Sequence, residues 1–458
     1  MNKEKTIFII IYQGHQARNV LKTDIFKLLK EREDLRLVIF CKKIKADYYR
    51  QEYGGERVII EGVELPKMQG LERKFFNLAA ILVDSQTVKL RQLKLLDKER
   101  NHLKYLIRRL ITKILGNCPP IKSLIRYFDF HFCLRKELLE YFDKHQPDLV
   151  FVPNILGRLD TAMVQAAKKR GVKSVGMVNS WDNLSSRGLM RAVPDKLIVH
   201  NETIKNEAIH FDGLRPANIF ISGLPHFDYY VKEKRSSKEE FYRRINVPPD
   251  KEIILFCPIG PPSCTTEWQV LKQLHQAIKD GKITFKAHLL VRLPPNNQSM
   301  AGEINPDENL TVDRQGFRFL SGDLNDWEWT AKEMIHLADS LYFSKVLIGY
   351  ASTMTIDAAA FDLPVINVAY EGWEKKKGIE TYEWFYYHTT HYLPVIQSGA
   401  LKLANNLEQL IDLINQYYHH PEQDREKRKK LLLEQTYKFD GRSGERLADY
   451  LIKNLSDD

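Results

Sequence analysis

One stretch, residues 347–368, constrains the fold more than any other part of the chain. It reads LIGYASTMTIDAAAFDLPVINV and places an apolar run, a turn of small residues, a helical pattern and a second apolar run in succession. This order is typical of a β-turn-α-turn-β unit, which connects neighbouring strands of a parallel sheet. The sequence therefore predicts a parallel α/β sheet with a helix that begins directly after a strand.

The small residues of this turn are candidates for phosphate binding. Gly349, Ser352 and Thr353 precede the helix, where backbone N–H groups and the helix dipole favour an anion. Asp357 lies further along the helix, and its carboxylate can accept hydrogen bonds from ribose hydroxyls. Together they predict a nucleotide-diphosphate site. An ordinary αβ crossover also carries small residues and an acid near its helix start, so that alternative stays open.

The length and the strand pattern predict two domains. A chain of 458 residues is too long for one ordinary core. Alternating strand and helix patterns predict Rossmann-like domains at 1–232 and 252–420, with C-terminal helices at 421–458. We expect an α/β fold in which the two domains face a cleft, because ligands of such sheets bind at the carboxyl ends of strands. Helical periodicity also predicts one helix over 17–30.

A basic, helical insertion interrupts the alternation at about 71–142. The formal net charge is +10, and much of the excess lies within 89–136, where Lys and Arg alternate with Leu and Ile at helical spacing. Such a segment suits an anionic membrane surface, and a solvated helix face is the alternative. Nucleic acid is not an expected partner. The sequence matches no nucleic-acid recognition motif, and the segment lacks the interleaved aromatic residues on which bases stack.

The cysteine pattern and the hydropathy pattern exclude several classes of protein. Five scattered cysteines without a CxxC pair argue against a disulfide framework and a zinc site, so neither metal nor cofactor is expected. No apolar run reaches the length of a spanning helix, and the apolar start at 6–12 is too short for a signal peptide. We therefore predict a cytoplasmic protein, either free or peripheral at the inner face of the cell membrane.

Polar residues follow several predicted strands of the first domain. His15 follows the first strand, and His226 lies in the loop ISGLPHFD at 221–228. The segment NSWDNLSSRG at 179–188 adds four candidates for a catalytic or acceptor site: Trp181, Asp182, Asn183 and Arg187. An indole beside Asp182 would desolvate its carboxylate and raise its pKa, which suits a general base. The alternatives are a histidine without a task and residues that only form turns.

The second domain adds three donor-site candidates outside the 347–368 unit. Gly260 and Ser263 lie in the loop CPIGPPS, which follows the first strand of this domain and can line a phosphate path. Arg292 ends a strand in VRLPP. Its planar guanidinium matches the oxygens of a diphosphate, so we predict that it stabilises the leaving group.

These motifs resemble those of the GT-B glycosyltransferases, and within them most closely the CDP-glycerol glycerophosphotransferase and surface-polysaccharide branch. Residues 180–188 are similar to the Trp-His-Gly loop of that branch. Residues 221–228 are similar to its Gly-x-Pro-Arg-x-Asp turn, and 348–366 to its Ser-rich donor helix. The resemblance covers roughly residues 145–370.

Four positions depart from the pattern of the branch. Asp182 stands where it has His, Asn183 where it has Gly, His226 where it has Arg, and Pro294 where a His commonly follows Arg-Leu. A carboxylate at 182 is closer to what inverting sugar transferases use. These changes favour a sugar-nucleotide donor over a glycerol-phosphate donor.

The resemblance implies a metal-independent glycosyltransferase that moves a sugar from a nucleotide diphosphate to a cell-surface glycan or a lipid-linked acceptor. Asp182, or otherwise His15, would deprotonate the acceptor hydroxyl, and the helix dipole with Arg292 would replace a metal. Three alternatives remain: a CDP-glycerol-type glycerophosphotransferase, a sugar-nucleotide epimerase, and a non-catalytic scaffold at the membrane surface.

Overall fold

Contacts divide the chain into two α/β units. The computed structural model describes residues 4–65, 67–68, 70–261, 263–295, 305–319 and 326–456. The first unit is built mainly from Met1–Val231 and Thr436–Asp458, and the second mainly from Lys232–Arg318 and residues 326–435. The C-terminal helices thus divide between the units.

The first unit contains a seven-stranded, wholly parallel sheet with the order β3-β2-β1-β4-β5-β6-β7. Its strands are nearly continuous apolar runs, as expected for parallel strands that helices cover on both faces. The strands are β1 (Lys5–Ile11), β2 (Leu35–Lys42), β3 (Val58–Val63), β4 (Leu149–Val152), β5 (Lys173–Met177), β6 (Lys196–Val199) and β7 (Ile219–Ile221).

The helices of this part of the chain include the predicted insertion, which lies between β3 and β4. They are α1 (Gly14–Val20), α2 (Asp24–Glu31), α3 (Ala46–Tyr53), α4 (Gly70–Ala79), α5 (Gln86–Glu99), α6 (His102–Leu115), α7 (Pro119–Cys133), α8 (Leu139–His145), α9 (Arg158–Arg170), α10 (Asn183–Ser186), α11 (Glu202–Asp212) and α12 (Asp228–Lys232).

The single helix predicted over 17–30 is wrong, because α1 and α2 are separate helices. The hydroxyl of Thr23 donates to the carbonyl oxygens of Asn19 (3.1 Å) and Val20 (3.0 Å) at the end of α1. Thr23 itself has an extended backbone. A threonine that bonds back to preceding carbonyl groups in this way competes with helix continuation.

The second unit contains a six-stranded parallel sheet with the order β10-β9-β8-β13-β14-β15, and a two-stranded antiparallel ribbon of β11 and β12. Leu347 of β13 pairs with Val365 of β14 in parallel register, which confirms the predicted β-turn-α-turn-β unit. The strands are β8 (Glu252–Phe256), β9 (Ala287–Leu293), β10 (Leu310–Arg314), β11 (Phe317–Arg318), β12 (Trp327–Glu328), β13 (Ser344–Gly349), β14 (Val365–Val368) and β15 (Lys402–Ala404).

The remaining helices are α13 (Lys238–Arg244), α14 (Glu267–Lys279), α15 (Ala331–Phe343), α16 (Met354–Ala359), α17 (Tyr382–Tyr386), α18 (Leu393–Gln397), α19 (Leu407–His419), α20 (Arg425–Thr436) and α21 (Ser443–Ser456). Helix α21 returns to the first unit, where Leu447 and Leu451 join the apolar core that contains Ile25 and Leu29 of α2. None of the helices in the described ranges is long and apolar enough to cross a bilayer.

Candidate functional site

In the first unit, His15 stands in the first turn of α1, directly after β1. The neighbouring Gln16 fixes this turn: its Oε1 accepts the backbone N–H groups of Tyr12 and Gln13, both at 2.8 Å. Its Nε2 donates to Oδ1 of Asp160 at 2.9 Å. The turn that presents His15 is therefore tied to the helix that follows β4.

Asp160 is a buried carboxyl group that the sequence interpretation missed. It accepts hydrogen bonds from Gln16 and from the backbone N–H of Asn154 (2.9 Å). Burial outweighs these bonds and raises the pKa of Asp160 to about 7. Its role is to join the loops after β1 and β4, and its charge state changes near neutral pH.

The ring of His15 is open to solvent, yet it sits among many protein atoms and several cations. Desolvation lowers the pKa of His15, and the charges of Arg18 and Arg187 lower it further. Asp182 acts in the opposite direction and raises it. Asp182, Arg18 and Arg187 are therefore close enough to His15 for their charges to act on its ring. The lowered pKa keeps His15 neutral at physiological pH.

The predicted loop at 179–188 folds into the short helix α10. Asn183 is 1% exposed, and its Oδ1 accepts the backbone N–H of Ser180 at 3.1 Å. Asn183 therefore shapes the turn, as the alternative interpretation allowed. Asp182 is half-buried, and its Oδ2 accepts a hydrogen bond from the hydroxyl of Ser186 at 3.1 Å. Its carboxylate is held in place but remains partly open to solvent.

The other two predicted residues of this loop, Trp181 and Arg187, lie in different environments. Trp181 is half-buried and packs against the apolar core of the first unit. Arg187 is exposed. Of the four predicted residues in the loop, Asn183 is buried, Trp181 and Asp182 are half-buried, and Arg187 is exposed.

Two further histidines follow the next strands of the sheet. His226, predicted from the sequence, is 8% exposed, and Nη2 of Arg18 lies 3.4 Å from its Nε2. His200, directly after β6, is 2% exposed, and its Nε2 meets no hydrogen-bond partner among the described residues. Burial lowers the pKa of both rings, to about 4 for His200. Both are neutral proton acceptors at physiological pH.

The sequence interpretation missed His200 and Arg18, although a signal for His200 was present. It occupies the position directly after an apolar strand, the same rule that identified His15. The charges of His15 and His200 both act on the pKa of His226, so the three rings are electrostatic neighbours. We call His15, Asp182, Arg187, His200 and His226 the histidine site.

In the second unit, the predicted phosphate turn follows β13. Gly349 ends the strand opposite Asn367 of β14. Ser352 is half-buried and Thr353 is exposed at the start of α16, where the first N–H groups of a helix have no partner within it. The predicted Asp357 is only 5% exposed. The turn therefore presents Ser352 and Thr353, whereas Asp357 lies behind them.

The predicted loop after β8 is held by a buried carboxylate. Glu267, in the first turn of α14, is 0% exposed and accepts the backbone N–H groups of Ile259 (2.6 Å) and Gly260 (2.7 Å). Gly260 has a φ of +71°, which glycine adopts without strain. Ser263 closes the turn through its N–H to the carbonyl of Gly260 at 3.1 Å. Burial raises the pKa of Glu267 to about 8.

A second buried carboxylate, Glu371, connects this loop to the phosphate turn. Its Oε2 accepts the hydroxyl of Thr266 at 2.7 Å, and its Oε1 accepts the N–H of Tyr382 at 2.5 Å. The hydroxyl of Tyr382 in turn accepts the N–H of Ala351 at 3.0 Å. The loops after β8, β13 and β14 are thus cross-braced into one scaffold, which we call the braced turn. The sequence interpretation missed Glu267 and Glu371.

Arg292 is placed differently from the prediction. It is 2% exposed, forms an ion pair with Asp313 on β10, and donates from Nη2 to Oε1 of Gln315 at 2.6 Å. Asp313 also lies 3.0 Å from Nε2 of His336. A guanidinium with these internal partners is a structural cation of the sheet, so the prediction that it faces a departing diphosphate needs correction.

Neither a metal cluster nor a disulfide occurs among the described residues. They contain no group of three or more His, Cys, Asp or Glu arranged to hold a metal ion. The five cysteines, all within the described ranges, form no disulfide.

Two curated proteins are similar in sequence to this chain. A UDP-N,N'-diacetylbacillosamine 2-epimerase (hydrolyzing) from Legionella pneumophila is 25% identical over 236 residues, which is 50% of this chain and 58% of that protein. A teichoic acid poly(ribitol-phosphate) polymerase from Bacillus spizizenii is 24% identical over 276 residues, which is 56% of this chain and 37% of that protein. The chain thus matches about half of the first relative and about a third of the second.

The fold is also found in solved structures. A UDP-GlcNAc 2-epimerase from Neisseria meningitidis bound to UDP-GlcNAc superimposes with a TM-score of 0.57 at 11% identity, covering 98% of this chain and 100% of that one. At this identity the likeness shows the fold alone, and that fold is the GT-B arrangement of two parallel α/β units. The model of the family named CDP-glycerol:poly(glycerophosphate) glycerophosphotransferase matches residues 169–453, well over half of the chain, and the protein therefore belongs to that family.

Proposed function

We propose that this protein is a transferase of cell-surface polymer synthesis that moves a sugar from a nucleotide-diphosphate donor to an acceptor hydroxyl. The observation that carries the proposal is the braced turn, where three loops at the carboxyl edge of one parallel sheet are fixed by two buried carboxylates. Ligands of open α/β sheets bind at this edge. A rigid turn that exposes small residues at a helix start suits a diphosphate.

The braced turn supplies the donor side of the proposed reaction. Ser352 and Thr353 would contact the diphosphate, with Gly349 allowing close approach and Gly260 and Ser263 lining its path. Asp357 would bind the ribose from behind the turn. Because the three loops are already braced, little reorganisation is needed when charge develops on the leaving group.

The histidine site supplies the acceptor side. Among its members, His15 combines an open ring with a neutral state, so we favour it over Asp182 as the base that takes the acceptor proton. Asp182 would stabilise the imidazolium that forms. Arg187 would hold an anionic group of the substrate, and that negative charge would raise the pKa of His15 toward the working pH.

The relatives support a nucleotide-linked donor and leave two donor chemistries to be compared. Two similar proteins are named as epimerases of UDP-linked sugars, and a third is named as a poly(ribitol-phosphate) polymerase. The family match itself favours a second candidate function, the transfer of glycerol phosphate from CDP-glycerol. The departures at Asp182, Asn183, His226 and Pro294 favour the sugar donor.

The released nucleotide distinguishes these functions. Sugar transfer breaks the bond between the sugar and the diphosphate and releases a nucleoside diphosphate, whereas glycerophosphate transfer breaks the diphosphate and releases CMP. We would incubate the protein with CDP-glycerol, CDP-ribitol and a panel of UDP- and GDP-sugars, with and without membrane glycolipid acceptors, and separate the nucleotides by chromatography. We expect acceptor-dependent release of UDP or GDP.

Other outcomes of this assay assign the other functions. CMP release would establish the glycerophosphotransferase, and acceptor-independent conversion of the sugar would establish an epimerase. If the protein neither turns over any donor nor binds a nucleotide, the result would favour the non-catalytic scaffold. As a check on the donor site, Asp357→Asn should weaken nucleotide binding about tenfold, as expected for the loss of a charge-assisted hydrogen bond. Asp412→Asn, at an exposed position on α19, is the matched control.

A further inference from the structure

Ser185, in the short helix α10, is held by two other parts of the first unit. Its carbonyl oxygen accepts the hydroxyl of Ser85 at 2.5 Å, and Ser85 stands at the start of α5 in the helical insertion. The hydroxyl of Ser185 forms a hydrogen bond with Glu207 of α11. Ser85 and Ser185 are both buried, so water does not compete for the bond between them. The insertion thus holds α10 through its backbone, and α11 holds it through a side chain.

Met190, a few residues further along, is held by the same two parts of the fold. Its N–H donates to Oδ1 of Asp212, the last residue of α11, at 2.8 Å. Its carbonyl oxygen accepts Nε of Arg126, on α7 of the insertion, at 2.8 Å. Nη2 of Arg126 donates to the same Oδ1 of Asp212 at 2.9 Å, which joins the two partners of Met190 to each other. The segment 185–190 is therefore fixed at both ends.

This segment carries or supports two charged groups of the histidine site. Arg187 lies within it. Ser186 donates from its hydroxyl to Oδ2 of Asp182 at 3.1 Å and from its backbone N–H to the carbonyl oxygen of Asp182 at 2.9 Å. The charges of Asp182 and Arg187 both act on the ring of His15. A displacement of the segment would therefore change the electrostatic surroundings of that ring.

We propose that Ser85 and Arg126 are positioning residues, through which the helical insertion holds Asp182 and Arg187 in place beside His15. Coulombic interactions weaken with distance, and a displacement of about 1 Å near reacting groups can cost about 100-fold in rate. The kinetic consequence rests on the proposed transfer reaction. The effect on the ring of His15 does not depend on any turnover.

Ser85→Ala tests the first of these residues. It removes the hydroxyl that donates to Ser185 and accepts the N–H of Val88 at the start of α5. We expect kcat/KM for the acceptor to fall about tenfold or more, because the segment beside His15 is no longer held. Nucleotide affinity, measured by isothermal calorimetry, should stay unchanged. Ser85→Thr keeps the hydroxyl and should recover most of the lost activity.

Two further variants separate positioning from stability. Asn101→Ala is the matched control, since the exposed Asn101 starts α6 of the same insertion and accepts the N–H of Lys104 at 2.9 Å. It should weaken a helix start, as Ser85→Ala does, and leave kcat/KM unchanged. Arg126→Lys keeps a positive charge beside Asp212 but loses the planar guanidinium that bonds Asp212 and Met190 together. It should lower kcat/KM for the acceptor as well.

A double-mutant cycle tests the proposal without turnover. Arg187→Gln should shift the pKa of His15 in the wild-type background, and by about half as much or less in the Ser85→Ala background, because Arg187 is then no longer held near the ring. An NMR titration of the imidazole signals measures both shifts. Equal shifts in the two backgrounds would overturn the proposal.

The kinetic measurements provide two more ways to overturn it: an unchanged kcat/KM for the acceptor in Ser85→Ala, or an equal loss in Asn101→Ala. If the protein transfers no group from any donor tested, the titration decides alone. A failure of this proposal is therefore distinguishable from a failure of the proposed transferase activity.

Discussion

At the scale of single residues, the charge balance around His15 determines what the histidine site can do. Arg18 and Arg187 lower the pKa of His15, and Asp182 raises it. These effects have opposite signs. Each neighbour can therefore be tested separately, because its removal should shift the pKa of His15 in a characteristic direction.

We predict that Arg187→Gln raises the pKa of His15 and that Asp182→Asn lowers it. The reason is electrostatic: a lost positive charge makes protonation of the ring easier, and a lost negative charge makes it harder. The measurement is a proton–carbon NMR titration of the imidazole signals, assigned through His15→Gln. Arg215→Gln, at an exposed position of the same unit, should leave the titration unchanged. Shifts in the same direction for both site variants would contradict the described geometry.

A second prediction concerns turnover. If His15 is the base, His15→Gln should lower kcat about 100-fold or more, the usual contribution of a positioned base, with nucleotide affinity unchanged. Asp182→Asn should have a smaller effect, since its charge acts through the ring. Initial rates and isothermal calorimetry separate kcat from binding. The reverse order of effects would assign the base to Asp182.

Arg292 shows why some residue roles could not be predicted from the sequence. Strand-end position and side-chain chemistry suggested a diphosphate ligand. The parallel register of β9 and β10 instead sets Asp313 opposite Arg292, and that register is not visible in the sequence. Glu267 and Glu371 were missed for another reason. The N–H groups that they accept belong to the backbone of Ile259, Gly260 and Tyr382, and a pattern of side chains does not show which backbone groups a carboxylate will bind.

At the scale of elements, the connection between the insertion and the first sheet depends on Gly188. It has a φ of +100°, and an added Cβ would lie 2.5 Å from the carbonyl oxygen of Ala79 at the end of α4. The next residue, Leu189, donates its N–H to that same oxygen at 2.9 Å. A side chain at position 188 would therefore separate α4 from the loop after α10.

We predict that Gly188→Ala destabilises the protein by about 2–4 kcal/mol, the sum of left-handed strain and overpacking against backbone. The control is Gly213→Ala. Gly213 has a similar φ of +73° with nothing within 4 Å of the added Cβ, so it should show only the strain of about 1 kcal/mol. Urea denaturation followed by circular dichroism gives both values. Equal losses would mean that contact with Ala79 contributes nothing.

Elements were predictable where one local pattern decides them. Apolar runs identified the strands of the β-turn-α-turn-β unit because parallel strands are buried on both faces. The break between α1 and α2 was missed because it depends on a hydroxyl that bonds back to the chain. Periodicity predicted that α6 is amphipathic, but only the packing of Ile111 and Leu115 shows that its other apolar side chains stay exposed.

At the scale of the whole molecule, buried ionisable groups make stability depend on pH. Burial raises the pKa of Asp160 to about 7, and those of Glu207 and Glu267 to about 8. These groups titrate near pH 4 in an unfolded chain. The folded state thus retains protons that the unfolded state has released, so their contribution is full below about pH 4 and is lost as the pH rises through 7 and 8.

Buried histidines act in the opposite direction in a lower pH range. Burial lowers the pKa of His200 and of His288 to about 4. Below about pH 6.5 these histidines bind protons in the unfolded chain but stay neutral in the folded protein. The two histidines therefore lower the free energy of unfolding in acid and do not affect it above that pH. Between about pH 6.5 and pH 8.5, the pH dependence of stability therefore reports on the buried carboxyl groups and not on these histidines.

We predict that the Tm falls across this interval and that Glu267→Gln makes the fall smaller. Glutamine resembles the protonated form of Glu267 and releases no proton on unfolding. The stability of the variant relative to the wild type should therefore increase as the pH rises from about 4 to about 8, and the difference should stay constant above about pH 8. Thermal unfolding at a series of pH values measures this. Glu408→Gln, at an exposed position on α19, should follow the wild type throughout. A Glu267→Gln curve parallel to the wild-type curve would show that Glu267 is already ionised at neutral pH, held so by the N–H groups of Ile259 and Gly260.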